Sequence, residues 1–414
     1  MDSGTQTSTL SRNAWLVVVL LMPVALLNYL DRQMLATMKS SVMHDITDIQ
    51  TDANWGFMLG QFKWVYAFFS LIGGYIADRF SRRYVICSSL FVWSLITWLT
   101  AHAETYQQLL WTRSLMGISE AFYIPAALAL IADYHTGGTR SRAIGLHQMA
   151  IYCGQLLGGF GGHIADADYL GWRTAFTVCG VFGILYALPL VALLRDAPTS
   201  SNEAAITKSS PIRSVWALLT NVSFILLVLY FTLPAMAGWI VRDWMPAILK
   251  DEFKIGQGQA GVAATLYWQL AAIVGAILGG WLADRWMRQS DRGRINVSAL
   301  GMCLIVPAIF GVGSAGTLSI AVAFLILFGF GWGFFDTNNM PILSQIVRPH
   351  LRATGYGIMN FASISCGGIA DWGFGTLRDK HVSLGTIFGV AAVVALVSIA
   401  LVLLIRPKQD LNTQ

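Results

Sequence analysis

Apolar residues run through this chain in long blocks, separated by short polar or basic stretches. Each block can cross a bilayer as one helix, which takes about 20 apolar residues. The first extends from about Asn13 to Met38, after a polar start over 1–12 that is expected to be disordered. The second begins near Trp55 and ends in Gly73-Gly74-Tyr75-Ile76-Ala77-Asp78-Arg79-Phe80-Ser81-Arg82-Arg83. The third covers about Tyr84 to Ala103 and the fourth about Gln107 to Tyr134. The fifth, rich in glycine, covers about Arg142 to Ile164, and the sixth about Thr174 to Leu194.

A polar stretch from Arg195 to about Ile212 then carries Pro198, Ser200, Ser201, Ser209, Ser210 and Pro211. It reads as a linker. The block from Ser214 to Leu249 is over-long for one span and predicts a short surface helix ahead of it. Blocks at about 258–286, 295–314, 316–346, 351–377 and 383–406 complete about twelve. The expected fold class is an all-α polytopic membrane protein of two six-helix halves. Residues 1–195 form the first bundle, 196–212 a cytoplasmic linker and 213–414 the second bundle.

Composition agrees with that pattern. The 414 residues are 55% hydrophobic and only 12% charged, with a mean hydropathy of +0.59. The net charge of +5 does not point to nucleic acid, because the basic residues gather in short loops beside the helices. With both termini in the cytoplasm, inner loops hold Arg79, Arg82, Arg83, Arg140, Arg142, Arg285, Arg288 and Arg292, among others. The outer loops hold only Lys39, Arg173, Lys250, Lys254, Arg378 and Lys380. That bias predicts a multi-pass protein of the inner, or plasma, membrane with cytoplasmic termini. The five cysteines are scattered through apolar blocks and show no metal or disulfide spacing. No metal or cofactor is expected.

A few charges lie inside the spans, where each costs at least about 2.5–3.5 kcal/mol and usually serves function. Arg113 and Glu120 of the fourth block are close to two helical turns apart, so they share one face. Asp31 and Arg32 come late in the first block, with Tyr29 three residues before Arg32 and beside it on the helix. Arginine keeps its charge and can grip a carboxylate through two parallel hydrogen bonds. Arg32 and Arg113 are therefore the expected anion contacts. Asp31 and Glu120 are the expected proton sites, since burial and a nearby arginine shift a carboxyl in opposite directions. Tyr66, Gln155, Asn339 and Asn360 are candidate groups for substrate hydroxyls, and also candidates for polar contacts between helices. Asp336 and Asp371 are possible further acidic sites, expected to be buried and either neutral or beside a cation. His147 is a further candidate, as a proton relay.

The chain resembles the major facilitator superfamily. Gly74-x-x-x-Asp78-Arg79-x-x-Arg82-Arg83 after the second helix is echoed by Gly280-x-x-x-Asp284-Arg285 after the eighth. Ser81 stands where the family motif normally has glycine. The resemblance implies a cytoplasmic gate made by Asp78, Arg79, Arg82, Arg83, Asp284 and Arg285. Within the superfamily the Asp31-Arg32 pair and Arg113…Glu120 are similar to those of anion:cation symporters, including sugar-acid transporters. That likeness implies site roles for Tyr29, Tyr66, Gln155 and Asn360. Gly117-Ile118-Ser119-Glu120-Ala121 with Pro125, followed by Leu130-Ile131-Ala132-Asp133-Tyr134, resembles the spinster-like branch instead.

The expected function is proton-coupled symport of a small organic anion, first a sugar acid such as an aldonate or uronate, by alternating access. The partners are that anion, protons and the lipid bilayer, with a working monomer and no nucleic acid. A spinster-like lipid or amphiphile transporter keeps the fold and changes the cargo. A non-transporting receptor or scaffold is the alternative of another class. No Ser/His/Asp set, metal cluster or phosphate loop in the sequence suggests an enzyme.

Overall fold

The computed structural model describes residues 3–135, 139–167, 169–197 and 211–407. Among these residues the fold is entirely helical. In chain order come α1 (Ser3–Thr37), the short α2 (Lys39–Asp45), α3 (Asp52–Arg79), α4 (Arg82–Thr100), α5 (Tyr106–Glu120), α6 (Tyr123–Tyr134), α7 (Arg140–Gly159), α8 (Gly161–Asp166) and α9 (Gly171–Leu193). The second part holds α10 (Pro211–Leu219), α11 (Val222–Phe253), α12 (Gln257–Met287), α13 (Gly293–Ser314), α14 (Leu318–Ile346), α15 (Arg352–Asp379) and α16 (Leu384–Leu404). Nine helical segments among the described residues are long and apolar enough to cross a membrane. The helices follow the apolar blocks of the sequence, as expected for a polytopic membrane protein.

Three details depart from the sequence reading. Helix α1 begins at Ser3, so 3–12 are helical, where disorder was expected. The fourth block is interrupted at Ala121–Phe122 between α5 and α6. Pro125 is the cause: it has no N–H for the Ala121 carbonyl, and its ring crowds that carbonyl. The fifth block is interrupted at Phe160, between α7 and α8. The short helix expected before the seventh span is α10. Most of the linker, 198–210, lies outside the described residues.

The chain groups into two compact units, one of 1–50, 61–204 and 255–262, the other of 51–60, 205–254 and 263–414. The first turns of α3 and α12 therefore group apart from the rest of their helices. In the first unit, the Asp166 carboxylate accepts the Gly258 N–H at 2.8 Å, and Gln257 Oε1 accepts the Ser40 N–H at 3.0 Å. In the second, the Asp379 carboxylate accepts the N–H groups of Asp52 and Ala53 at 2.9 and 2.8 Å.

Glycine sets the close packing inside the first unit. A Cβ on Gly154 would lie 2.2 Å from the Leu26 carbonyl oxygen, and one on Gly158 2.7 Å from that of Leu30. Small residues thus bring the α7 backbone against α1, the usual device of packed membrane helices. A Cβ on Gly117 would lie 2.9 Å from the Phe62 carbonyl oxygen, so α5 meets α3 in the same way.

Candidate functional site

Three close-packed helices of the first unit converge on one charged cluster. Arg32 of α1 donates Nε–H to Glu120 Oε2 at 2.6 Å, and its Nη2 meets the same oxygen. Glu120 is fully buried at the last position of α5, immediately before the interruption. Gly117, one turn earlier, lets that end of α5 approach α3, which supplies the aromatic wall. The Arg32 guanidinium lies 5.0 Å from the Tyr29 ring centre, 4.9 Å from Phe62 and 4.6 Å from Tyr66. The rings of Phe62 and Tyr66 stack with centres 6.0 Å apart. Phe62 also serves Arg113, whose guanidinium stands 4.8 Å from the same ring. Such contacts contribute about 0.5–2 kcal/mol each, more when desolvated.

The remaining members complete a neutral set of two carboxyls and two guanidiniums. Asp31 is buried and accepts the Thr97 hydroxyl at 3.1 Å. Glu120, Arg113 and Arg32 all act on it electrostatically. Arg113 is buried and donates from Nη1 to Met116 Sδ at 3.0 Å. Asn28, fully buried, adjoins the Glu120 carboxyl. Gln61 donates to the Ser114 hydroxyl at 2.6 Å beside the cluster. A buried ion pair of this kind resists loss of either partner, because the survivor would be an uncompensated charge.

Of the site residues expected from sequence, Tyr29, Asp31, Arg32, Tyr66, Arg113 and Glu120 come together here. Gln155 is buried on α7, the helix packed on α1. Asn339 on α14 is buried, and Asn360 on α15 is half-buried; both belong to the second unit. Asp371 on α15 is fully buried, and its carbonyl meets Gly56, where a Cβ would lie 2.3 Å away. Asp336 on α14 is solvent-accessible, yet protein atoms crowd its carboxyl and Asn339 of the same helix lies beside it.

Sequence reasoning missed Phe62 and Thr97. Phe62 could have been found, since it lies four residues before Tyr66 and so on the same helix face. Thr97 gave no signal.

The residues expected to form a gate have local partners. Arg82 forms an ion pair with Asp133 of α6. Arg83 donates its backbone N–H to the Asp196 carboxylate at 2.9 Å, and Ser81 caps α4 and donates its hydroxyl to the same group. Asp284 lies 3.7 Å from Arg294, and the Arg285 guanidinium 6.0 Å from the Trp281 ring centre. Arg79 is exposed. The side chain of Asp78 lies outside the described residues. Among the described residues no group of His, Cys, Asp and Glu has the arrangement of a metal site.

The family model described as Major Facilitator Superfamily matches residues 21–370. The chain is similar to an MFS-type efflux pump of Mycolicibacterium smegmatis, 27% identical over 374 residues, which cover 89% of this chain and 85% of that protein. It is similar to Protein spinster homolog 1 of Xenopus tropicalis, 27% identical over 368 residues, covering 83% of this chain and 68% of that one. Among solved structures, a bacterial homolog of the human lysosomal transporter Spinster, inward-facing and unoccupied, matches with a TM-score of 0.78. It is 19% identical, and the match covers 95% of each chain.

Proposed function

The chain belongs to the Major Facilitator Superfamily, and we propose that it works as a proton-coupled secondary transporter of an organic anion by alternating access. One observation carries this reading: the buried pair of Arg32 and Glu120, each the other's partner across two helices. With Glu120 ionised, Arg32 is occupied. A proton on Glu120 releases the guanidinium, which then offers its parallel N–H donors to a substrate carboxylate. Proton and anion thus bind together, which is the requirement for symport. Asp31, with Arg113 and Thr97 about it, is the second proton site. If both carboxyls take a proton with one monovalent anion, transport moves net positive charge.

The first cargo is a sugar acid such as an aldonate or uronate. Tyr66, the Gln61–Ser114 pair and Gln155 offer groups of the kind that substrate hydroxyls need, and Asn339 and Asn360 are proposed as further hydroxyl contacts. A second reading has its own support. The Tyr29, Phe62 and Tyr66 rings around Arg32 suit an anion with an apolar body, and the similarity to spinster proteins agrees. That reading makes the cargo an amphiphile. The chain's basic inner loops support a plasma-membrane location with both termini in the cytoplasm. Asp78, Arg79, Arg82, Arg83, Asp284 and Arg285 are the proposed cytoplasmic gate, and a monomer the working form.

The test is uptake into proteoliposomes under an inward proton gradient. The panel holds labelled aldonates, uronates, sialic acid and a lysolipid, with Glu120→Gln beside the unaltered chain. Gradient-driven uptake of a sugar acid, lost in the variant, is the expected result. Movement of the lysolipid alone replaces the sugar-acid reading with the amphiphile one. Uptake by Glu120→Gln equal to the unaltered chain removes the coupling role.

A further inference from the structure

Three residues beyond Glu120, the chain resumes as α6 at Tyr123, and that residue is held by two other helices. Its hydroxyl donates to the Leu21 carbonyl of α1 at 3.1 Å and lies 2.9 Å from Nε2 of His147 on α7. Tyr123, Leu21 and His147 are all buried. The Trp93 ring closes one side, edge-on at 5.5 Å between centres. A main-chain carbonyl only accepts, and a phenol has one proton, so that proton belongs to Leu21. The phenol oxygen must then accept from His147, which puts a proton on Nε2. The histidine therefore serves here as a donor. Any proton it gains or loses at Nδ1 leaves this bond intact.

We propose that His147 and Tyr123 are positioning residues that set the register between Arg32 and Glu120. The proposal rests on the coupling role given to that pair. Helix α1 carries Leu21 and, three turns on, Arg32. The Ala121–Phe122 interruption leaves α5 and α6 without a continuous hydrogen-bond ladder, so the helix alone does not fix where Glu120 stands. The bond from Tyr123 to Leu21 fixes the interruption against α1. The bond from His147 orients the phenol, so that its one proton points at Leu21. Tyr186 of α9 donates to the adjacent Leu20 carbonyl at 2.9 Å, a second phenol bond to the same turn of α1.

The test compares His147→Gln, which keeps a donor near the Nε2 position, with His147→Phe and Tyr123→Phe, which remove the bond. Backbone hydrogen exchange over 117–126 reads the lock without any need for transport. We expect both Phe variants to raise exchange there by about tenfold, with His147→Gln close to the unaltered chain. In proteoliposomes, the Phe variants are expected to shift the pH midpoint of uptake, and His147→Gln to restore it. Exchange unchanged in His147→Phe overturns the lock. Uptake lost equally in His147→Gln and His147→Phe, with exchange normal in the Gln variant, overturns the positioning role and makes His147 a proton carrier. Should the unaltered chain show no proton-driven uptake, the coupling reading fails, and the exchange result still decides whether the lock exists.

Discussion

Arg32 and Glu120 lie 88 positions apart and meet through a 2.6 Å hydrogen bond in the interior of the first unit. Glu120 is fully buried and the Arg32 side chain 13% exposed. The pair is therefore little screened by solvent, and each charge depends on the other. Replacing Arg32 by Ala takes from Glu120 its ion-pair partner and leaves it Asn28 and the field of Arg113, at a cost of up to about 3–5 kcal/mol unless it takes a proton. We expect Arg32→Ala to lower the melting temperature, and the double variant Arg32→Ala/Glu120→Ala to recover part of the loss. Equal melting of the single and double variants would show that the pair is not coupled.

Anion binding should strengthen as pH falls, because a proton on Glu120 frees Arg32. Glu120→Gln mimics the protonated form and cannot titrate. Its anion affinity should lose most of its pH dependence, and isothermal titration at several pH values checks this. A pH dependence in Glu120→Gln as steep as in the unaltered chain would assign the coupling to Asp31.

Phe62 touches both guanidiniums, so one substitution should disturb two charges. Phe62→Leu keeps the site apolar and removes the ring. The expected cost is about 1–4 kcal/mol for the two contacts together. It should appear as a weaker substrate KM, with Phe62→Tyr near the original. A KM unaffected by Phe62→Leu would reduce the ring to packing.

Gly117 is the contact that brings α5 against α3. Gly117→Val puts carbon atoms against the Phe62 carbonyl, which is backbone and cannot turn aside. Overpacking of this kind costs about 1–3 kcal/mol. The melting temperature should fall and transport should fail together. Gly74, with open space at its Cβ position, is the control: Gly74→Ala should leave the melting temperature unaltered.

Pro125 separates α5 from α6. Pro125→Ala returns a donor to the Ala121 carbonyl and removes the ring clash. The variant should be thermally more stable and turn over more slowly, since the segment beside Glu120 becomes continuous helix. Faster turnover at equal stability would argue against a role for the interruption.

Most of the helical order is legible in the amino-acid sequence. Span-length apolar blocks, a Pro- and Ser-rich linker and charges placed inside apolar blocks are local features, and local features need no knowledge of how helices pack. The identity of the site's ionic members is legible too, because Asp31, Arg32, Arg113 and Glu120 are costly in lipid wherever they point. Asp336 shows the limit of that argument. It is as unusual in the sequence as Glu120, yet it is solvent-accessible on α14 while Glu120 is sealed. Hydropathy reports that a residue sits in a span, and not which side of the helix is covered.

What the sequence alone determined, then, was the set of spanning helices and the inventory of charges within them. Tertiary structure alone decided the partners. Arg32 meets Glu120, Thr97 meets Asp31, and Phe62 lies against two arginines; Gly117, one turn before Glu120, lets α5 approach the α3 backbone that carries Phe62. Register between helices depends on contacts distant in sequence, and no local periodicity encodes it. The same reason explains why Tyr123, His147 and Leu21, ordinary in the sequence, form a lock beside Glu120 in the folded chain.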